Sequence, residues 1–139
     1  MKNCVVYKDS GIFLHLEFMP TDCDFIKATK NGKLVYICIA DQPEELNNYR
    51  YGDDMIIDLH RGYELNKEKF KIIDRYVPRK RFINSEYSLY DKIMDKYLLI
   101  DQGFGVCDRV ADYLNFNLPL VDGTEISEVA ANIKASENV

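Results

Sequence analysis

A chain of 139 residues has the length of one domain and can bury enough surface for one hydrophobic core. Its hydrophobic fraction of 47% and charged fraction of 29% are ordinary for a globular protein and exclude an intrinsically disordered chain. The net charge of −5 disfavours nucleic acid as a partner, because two acidic molecules repel each other.

The first forty residues predict two β-hairpins, one turning at residues 9–11 and the other at Asn31-Gly32. Asn-Gly between two strand-like runs is the strongest local hairpin signal, because both residues tolerate the positive φ of a type I′ turn. The predicted strands span residues 4–8, 12–19, 25–30 and 33–40.

Alternation along the second predicted strand places His15 on its more polar face, while the opposite face is entirely apolar. If the second and third strands pair antiparallel, His15 lies opposite Thr29. In the same register Glu17 lies opposite Lys27, and this pair is electrostatically favourable. His15 is therefore a candidate general base, and an ordinary surface or cross-strand role is the alternative interpretation.

The middle of the chain predicts one short helix followed by strands. The helix begins near Pro43, because proline favours the first turn and the acidic residues after it favour the positive end of the helix dipole. Residues 55–59 form a strand-like run. Residues 67–76 fit either a strand or a helix, and we favour strands there.

The last third predicts three helices. Apolar residues recur at helical spacing over residues 85–99, and again over residues 106–115 after the break at Gly103-Phe104-Gly105. A final helix begins near Thr124. The fold class is therefore α+β, with an antiparallel sheet from the N-terminal hairpins, C-terminal helices packed on it, and one domain spanning residues 1–139.

Cys107 is the candidate nucleophile because it stands in the first turn of a predicted helix, directly after a glycine-rich break. Backbone N–H groups and the helix dipole at such a position lower the pKa of a thiol, and Gly105 would let a substrate approach the backbone. The same residue lies on the apolar stripe with Val110 and Leu114. A buried structural cysteine is therefore the alternative interpretation.

The passage Gly103-Phe104-Gly105-Val106-Cys107-Asp108-Arg109-Val110-Ala111-Asp112-Tyr113-Leu114-Asn115 resembles the cysteine helix of circularly permuted papain-fold hydrolases of the NlpC type. In that group a strand histidine precedes the cysteine in sequence, and His15 would take that place here. The resemblance implies attack by the Cys107 thiolate on an amide, ester or thioester of a small molecule or peptide. His15 would hold and return the proton, and backbone N–H groups near Cys107 would stabilise the oxyanion.

A small acidic interaction protein, such as an inhibitor, an immunity protein or a phage-encoded host-binding factor, is the alternative to a hydrolase or acyltransferase. Seven acidic residues from position 101 onward face only Arg109 and Lys134, so a protein partner would bind the acidic C-terminal third. The ten tyrosines suit an interface. The basic stretch at residues 67–81 leaves nucleic-acid binding as a third, disfavoured option.

Targeting and metal-binding patterns are missing from the sequence. The first residues lack the apolar core of a signal peptide, and no segment approaches the roughly 20 apolar residues that span a bilayer. We therefore expect a cytoplasmic protein without membrane contact. The cysteines show neither the spacing of a zinc site nor the density of a disulfide scaffold, so we expect no metal and no cofactor. They are Cys4, Cys23, Cys38 and Cys107.

Overall fold

The computed structural model describes residues 2–8, 11–116, 130–132, 134 and 135. The chain divides into two compact units, Met1–Ile73 and Asp74–Val139. Each unit contains an antiparallel sheet and at least one helix, and a C-terminal helix packs on a sheet. The predicted α+β class is therefore confirmed.

The first unit is built on a five-stranded antiparallel sheet in the order β4-β1-β3-β2-β5. Its strands are β1 (Asn3–Val6), β2 (Asp24–Lys30), β3 (Lys33–Ala40), β4 (Met55–Asp58) and β5 (Lys71–Ile72). The predicted turn between β2 and β3 is confirmed, because Asn31 and Gly32 both have positive φ, at 54° and 79°. This turn fixes the register of the longest strand pair in the sheet, from Lys30 opposite Lys33 onward.

Residues 12–19 do not form the predicted regular strand. They make two isolated bridges, Phe13 with Val6 and Leu16 with Tyr36. The predicted pairing of residues 12–19 with the strand at residues 25–30 is not formed. That strand, β2, pairs with β3 along one edge, and β5 pairs with its Ala28 and Thr29 on the other edge. Lys27 lies opposite Tyr36 in the β2–β3 ladder, and its carbonyl oxygen accepts the Ile73 N–H on the other edge. The Glu17 carboxylate instead binds the Lys33 ammonium at 2.8 Å.

Short helices cover the first unit. A 3₁₀ helix, Pro43–Tyr49, begins where the sequence predicts a helix and buries Leu46. Helix α1 (Leu59–Asn66) was not predicted, because the strand-like run at residues 55–59 hides its start. Its N-cap is Asp58, whose carboxylate accepts a hydrogen bond of 2.8 Å from the Arg61 N–H.

The second unit consists of a three-stranded antiparallel sheet and a helix. Its elements are β6 (Tyr76–Lys80), β7 (Tyr87–Asp91), β8 (Lys96–Leu99) and α2 (Phe104–Phe116). The strands lie in the order β6-β7-β8, and α2 packs on β6 and β7. The core includes Leu89 from the sheet with Val110 and Leu114 from the helix. The helix predicted at residues 106–115 is confirmed.

The helix predicted at residues 85–99 is wrong, because this segment forms the β7–β8 hairpin. Leu89 and Ile93 are spaced for a helix, yet residues 87–91 also alternate as a strand. Asp91 decides between the two, because its carboxylate accepts the Ile93 N–H in the turn and binds Arg75 at 3.0 Å. The start of the helix predicted near Thr124 lies outside the described residues.

Candidate functional site

Cys107 lies in the first turn of α2, as the sequence predicts, but it is fully buried, at 0% exposure. Its backbone N–H donates to the Gly103 carbonyl oxygen at 3.2 Å, so this N–H is not available for an oxyanion. Burial raises the pKa of the Cys107 thiol, although the Gln102 backbone and the charge of Lys134 lower it. The expected lowering of this pKa is therefore wrong.

His15 lies in the first unit, between the bridges made by Phe13 and Leu16. Its half-buried ring contacts the ring of Phe70 edge to face, with 5.7 Å between the ring centroids. Burial, and next the positive charge of Lys30, lower the pKa of His15, so the imidazole is neutral at neutral pH. The expected neighbour Thr29 instead pairs with Leu34 in the β2–β3 ladder.

Cys107 and His15 belong to different compact units of the chain. Each has a local environment within its own unit: the thiol is buried in α2, and the imidazole packs on Phe70. A neutral imidazole can accept a proton, whereas a fully buried thiol cannot reach a substrate without movement of the helix. The catalytic pairing of these two residues stays a prediction.

A surface that the sequence did not predict lies at the turn between β6 and β7. We call residues 80–84 the β6–β7 tip. Two consecutive large apolar side chains are exposed there, Phe82 at 68% and Ile83 at 91%. The tip residues line an open surface depression of about 620 Å³. Exposed apolar surface of this kind commonly marks an interaction site.

Hydrogen bonds hold the backbone of the β6–β7 tip in one conformation. The Phe82 N–H donates to the Ser85 hydroxyl oxygen at 3.1 Å, and that hydroxyl donates to the Phe82 carbonyl oxygen at 2.9 Å. The Ser85 N–H donates to the same carbonyl at 3.1 Å. Ser85 therefore turns the chain so that Phe82 and Ile83 point away from the core of their unit.

Two cationic side chains adjoin the apolar pair of the tip. The Arg81 guanidinium lies 5.5 Å from the centre of the Phe82 ring and 3.1 Å from the Asp101 carboxylate. The Lys80 ammonium lies 5.3 Å from the centre of the Tyr87 ring, which also packs edge to face on Phe104. Lys80 and Arg81 form the rim of the tip, and Asp101 pairs with Arg81.

A sequence signal for this surface existed in the order Arg79-Lys80-Arg81-Phe82-Ile83. Three cations followed by two large apolar residues are compatible with a strand end and an exposed turn. The helix predicted over residues 85–99 would begin at Ser85, so that prediction left no place for a turn between two strands. Ser85 does form hydrogen bonds to the backbone, but they close a hairpin connection.

No family model, curated protein or solved structure matches the chain. Within the described residues, no helix combines the length and hydrophobicity needed to cross a membrane. The same part of the chain contains no group of three or more histidine, cysteine, aspartate or glutamate side chains placed to hold a metal ion.

Proposed function

We propose that this chain is an interaction protein that binds another protein through the β6–β7 tip. The observation that carries the proposal is the exposure of Phe82 and Ile83, at 68% and 91%, on a turn fixed by Ser85. Transfer of such side chains from water to an interface is favourable by roughly 25 cal/mol per Å². A turn that hydrogen bonds already close before binding has less conformational freedom to lose when it binds.

The rim of the tip defines the chemistry of the partner. Arg81 is held by Asp101, and among the described residues Lys80 makes no ion pair. Cations around an apolar centre match a partner surface in which acidic side chains surround an apolar pocket. We therefore expect an acidic protein surface as the partner of the tip.

Three properties of Cys107 favour an interaction protein over a thiol hydrolase or acyltransferase. The side chain is fully buried, burial raises the pKa of its thiol, and its backbone N–H already binds Gly103. A nucleophilic cysteine needs the opposite of the first two properties, which are exposure and a lowered pKa. The apolar side chains of the β6–β7 tip, by contrast, have the exposure that their proposed role requires.

Site-specific photo-crosslinking tests the tip. p-Benzoylphenylalanine replaces Ile83 in one variant and Phe116 in a control variant, since Phe116 is an exposed apolar residue of α2, at 83% exposure. We expect position 83 to yield a discrete crosslinked protein that position 116 does not yield. The crosslinked protein is then identified by mass spectrometry and purified.

Affinity for the purified partner measures the contribution of the apolar pair. Phe82→Ser combined with Ile83→Ser should weaken binding about tenfold or more, because apolar residues at the centre of an interface contribute most of its free energy. Phe116→Ser should leave the affinity unchanged. The same set of crosslinks at both positions, or an affinity that the double substitution does not change, would contradict the proposal.

A further inference from the structure

Two of the cysteines approach each other in the first unit. Cys38 is buried in β3, within a core cluster that also contains Leu46. Cys23 lies in the bend before β2, is half-buried, and packs against the same cluster. The two thiols share a hydrogen bond. They are therefore in contact although fourteen residues separate them in sequence.

The strand register brings the backbone of Cys23 close to that of Cys38. Phe25 lies opposite Cys38 in the β2–β3 ladder, and Cys23 lies two residues before Phe25, in the bend that leads into β2. A residue at this spacing is a diagonal neighbour of Cys38. Such neighbours have Cα atoms roughly 7–8 Å apart, whereas a disulfide needs about 4.4–6.8 Å. Cys23 precedes the ladder, which begins at Asp24, so its backbone can make this adjustment without breaking a ladder hydrogen bond.

We propose that Cys23 and Cys38 form a reversible thiol–disulfide site that reacts with low-molecular-weight disulfides such as glutathione disulfide. Cys23 reacts first, because it is half-buried whereas Cys38 is 4% exposed. Its thiolate attacks one sulfur of the small disulfide, the S–S bond breaks, and one glutathione thiolate leaves. The product is a mixed disulfide at Cys23.

The second step closes the protein disulfide. The Cys38 sulfur loses its proton, attacks the Cys23 sulfur of the mixed disulfide, and displaces the second glutathione. The two protein thiols lose two protons and two electrons in total; glutathione disulfide gains them and becomes two glutathione thiols. Reduction by excess thiol runs the same steps in reverse. Contact between the two sulfurs favours the second step, although burial raises the pKa of the Cys38 thiol and so slows the loss of its proton.

The surroundings of Cys23 slow its reaction with a small disulfide. Burial, and next the negative charges of Asp22, Asp24 and Glu45, raise the pKa of Cys23, although the hydrogen bond with Cys38 lowers it. Little thiolate is present at neutral pH, so the first step is slow there. The site therefore suits a response to sustained oxidation and does not suit rapid catalytic exchange.

Peptide mass mapping after incubation of the full chain with glutathione disulfide tests the proposal. We expect a linked Cys23–Cys38 peptide that is lighter by two hydrogens, that excess dithiothreitol reverses, and that raises Tm by several degrees. Cys4 and Cys107 are internal controls, since both are at 0% exposure, and they should stay unmodified. Tm is expected to rise because the cross-link restricts the unfolded chain.

Two variants separate the first step of the reaction, at Cys23, from the second step, at Cys38. Cys38→Ala should stop the reaction at a stable mixed disulfide on Cys23, and Cys23→Ser should remove all oxidation at this site. If Cys38→Ala fails to fold, Cys23→Ser at the half-buried position still gives a test. A mixed disulfide that accumulates on Cys23 in the unsubstituted chain, or a linkage between other cysteines, would overturn the proposal.

Discussion

Gly62 packs α1 tightly against the core of the first unit. A Cβ atom added at this position would lie 2.6 Å from the Cys4 sulfur and 2.6 Å from Cε1 of Phe13. Both neighbours are buried, at 0% and 1% exposure, so neither can move away easily. The absence of a side chain at position 62 is therefore what allows this close packing.

Gly62→Ala should destabilise the protein by about 1–3 kcal/mol, because overpacking a closed core forces side chains and backbone to shift. The general preference of helices for alanine over glycine acts in the opposite direction and is smaller, at about 1 kcal/mol. Urea unfolding measures the difference. Glu64→Ala, at an exposed position of the same helix, is the control and should change stability by less than about 0.5 kcal/mol. Equal or greater stability of Gly62→Ala would show that the packing is looser than described.

At the scale of secondary-structure elements, Asn115 attaches α2 to β6. Its side-chain oxygen accepts the Tyr76 N–H at 2.8 Å, and its amide nitrogen donates to the Tyr76 carbonyl oxygen at 2.8 Å. These two bonds join the last turn of the helix to the first residue of the strand. They thereby fix how the apolar face of α2 lies on its sheet.

Asn115→Ala should lower the free energy of unfolding by about 1–3 kcal/mol, because both hydrogen bonds to the partly buried Tyr76 backbone are lost. Asn115→Asp keeps an acceptor but cannot donate to the carbonyl, so we expect a loss at least as large. Asp112→Ala, on the exposed side of the same helix, is the control. The role assigned to Asn115 would be wrong if all three variants unfolded at the same urea concentration as the unsubstituted chain.

Elements that depend on local signals were the ones predicted from the sequence. The Asn31-Gly32 turn and α2 follow from residues a few positions apart, and both are confirmed. The β7–β8 hairpin was missed because Leu89 and Ile93 also fit helical spacing, and because the contact of Asp91 with Arg75, sixteen residues away in sequence, gives no local signal. The isolated bridges at Phe13 and Leu16 likewise depend on which strand edges the other strands leave unpaired. Neighbouring residues in the sequence do not show this.

The candidate sites, like the secondary-structure elements, could be predicted only where the signal comes from residues close together in sequence. The position of Cys107 at the start of a helix could be read from the glycines before it, but its complete burial depends on side chains from the rest of its unit. Exposure of Ile83 could not be predicted while the following residues were assigned to a helix. The contact between Cys23 and Cys38 could be predicted only from the register of β2 and β3. The Asn-Gly turn defines that register only when the type of turn is known.

At the scale of the whole molecule, the division into two units bears on the hydrolase hypothesis. In a catalytic cysteine–histidine pair, direct contact with the imidazole lowers the pKa of the thiol. Removal of the histidine should therefore raise that pKa. His15 belongs to Met1–Ile73 and Cys107 to Asp74–Val139, and burial raises the thiol pKa. Burial of Cys107 within its own unit is sufficient to explain why the pKa of its thiol is raised.

Iodoacetamide alkylation of Cys107, followed across pH by mass spectrometry, tests this whole-molecule question. We expect Cys107 to stay unreactive until the protein unfolds, and His15→Ala to leave its rate unchanged, as should the control His60→Ala at an exposed position. Cys23 should react first, because Cys4, Cys38 and Cys107 are all buried. An apparent pKa of Cys107 well below about 8 that rises in His15→Ala alone would instead indicate a thiolate–imidazolium pair. That result would favour the hydrolase and would require α2 to open and expose the thiol, since the thiol has no exposed surface while the helix is packed.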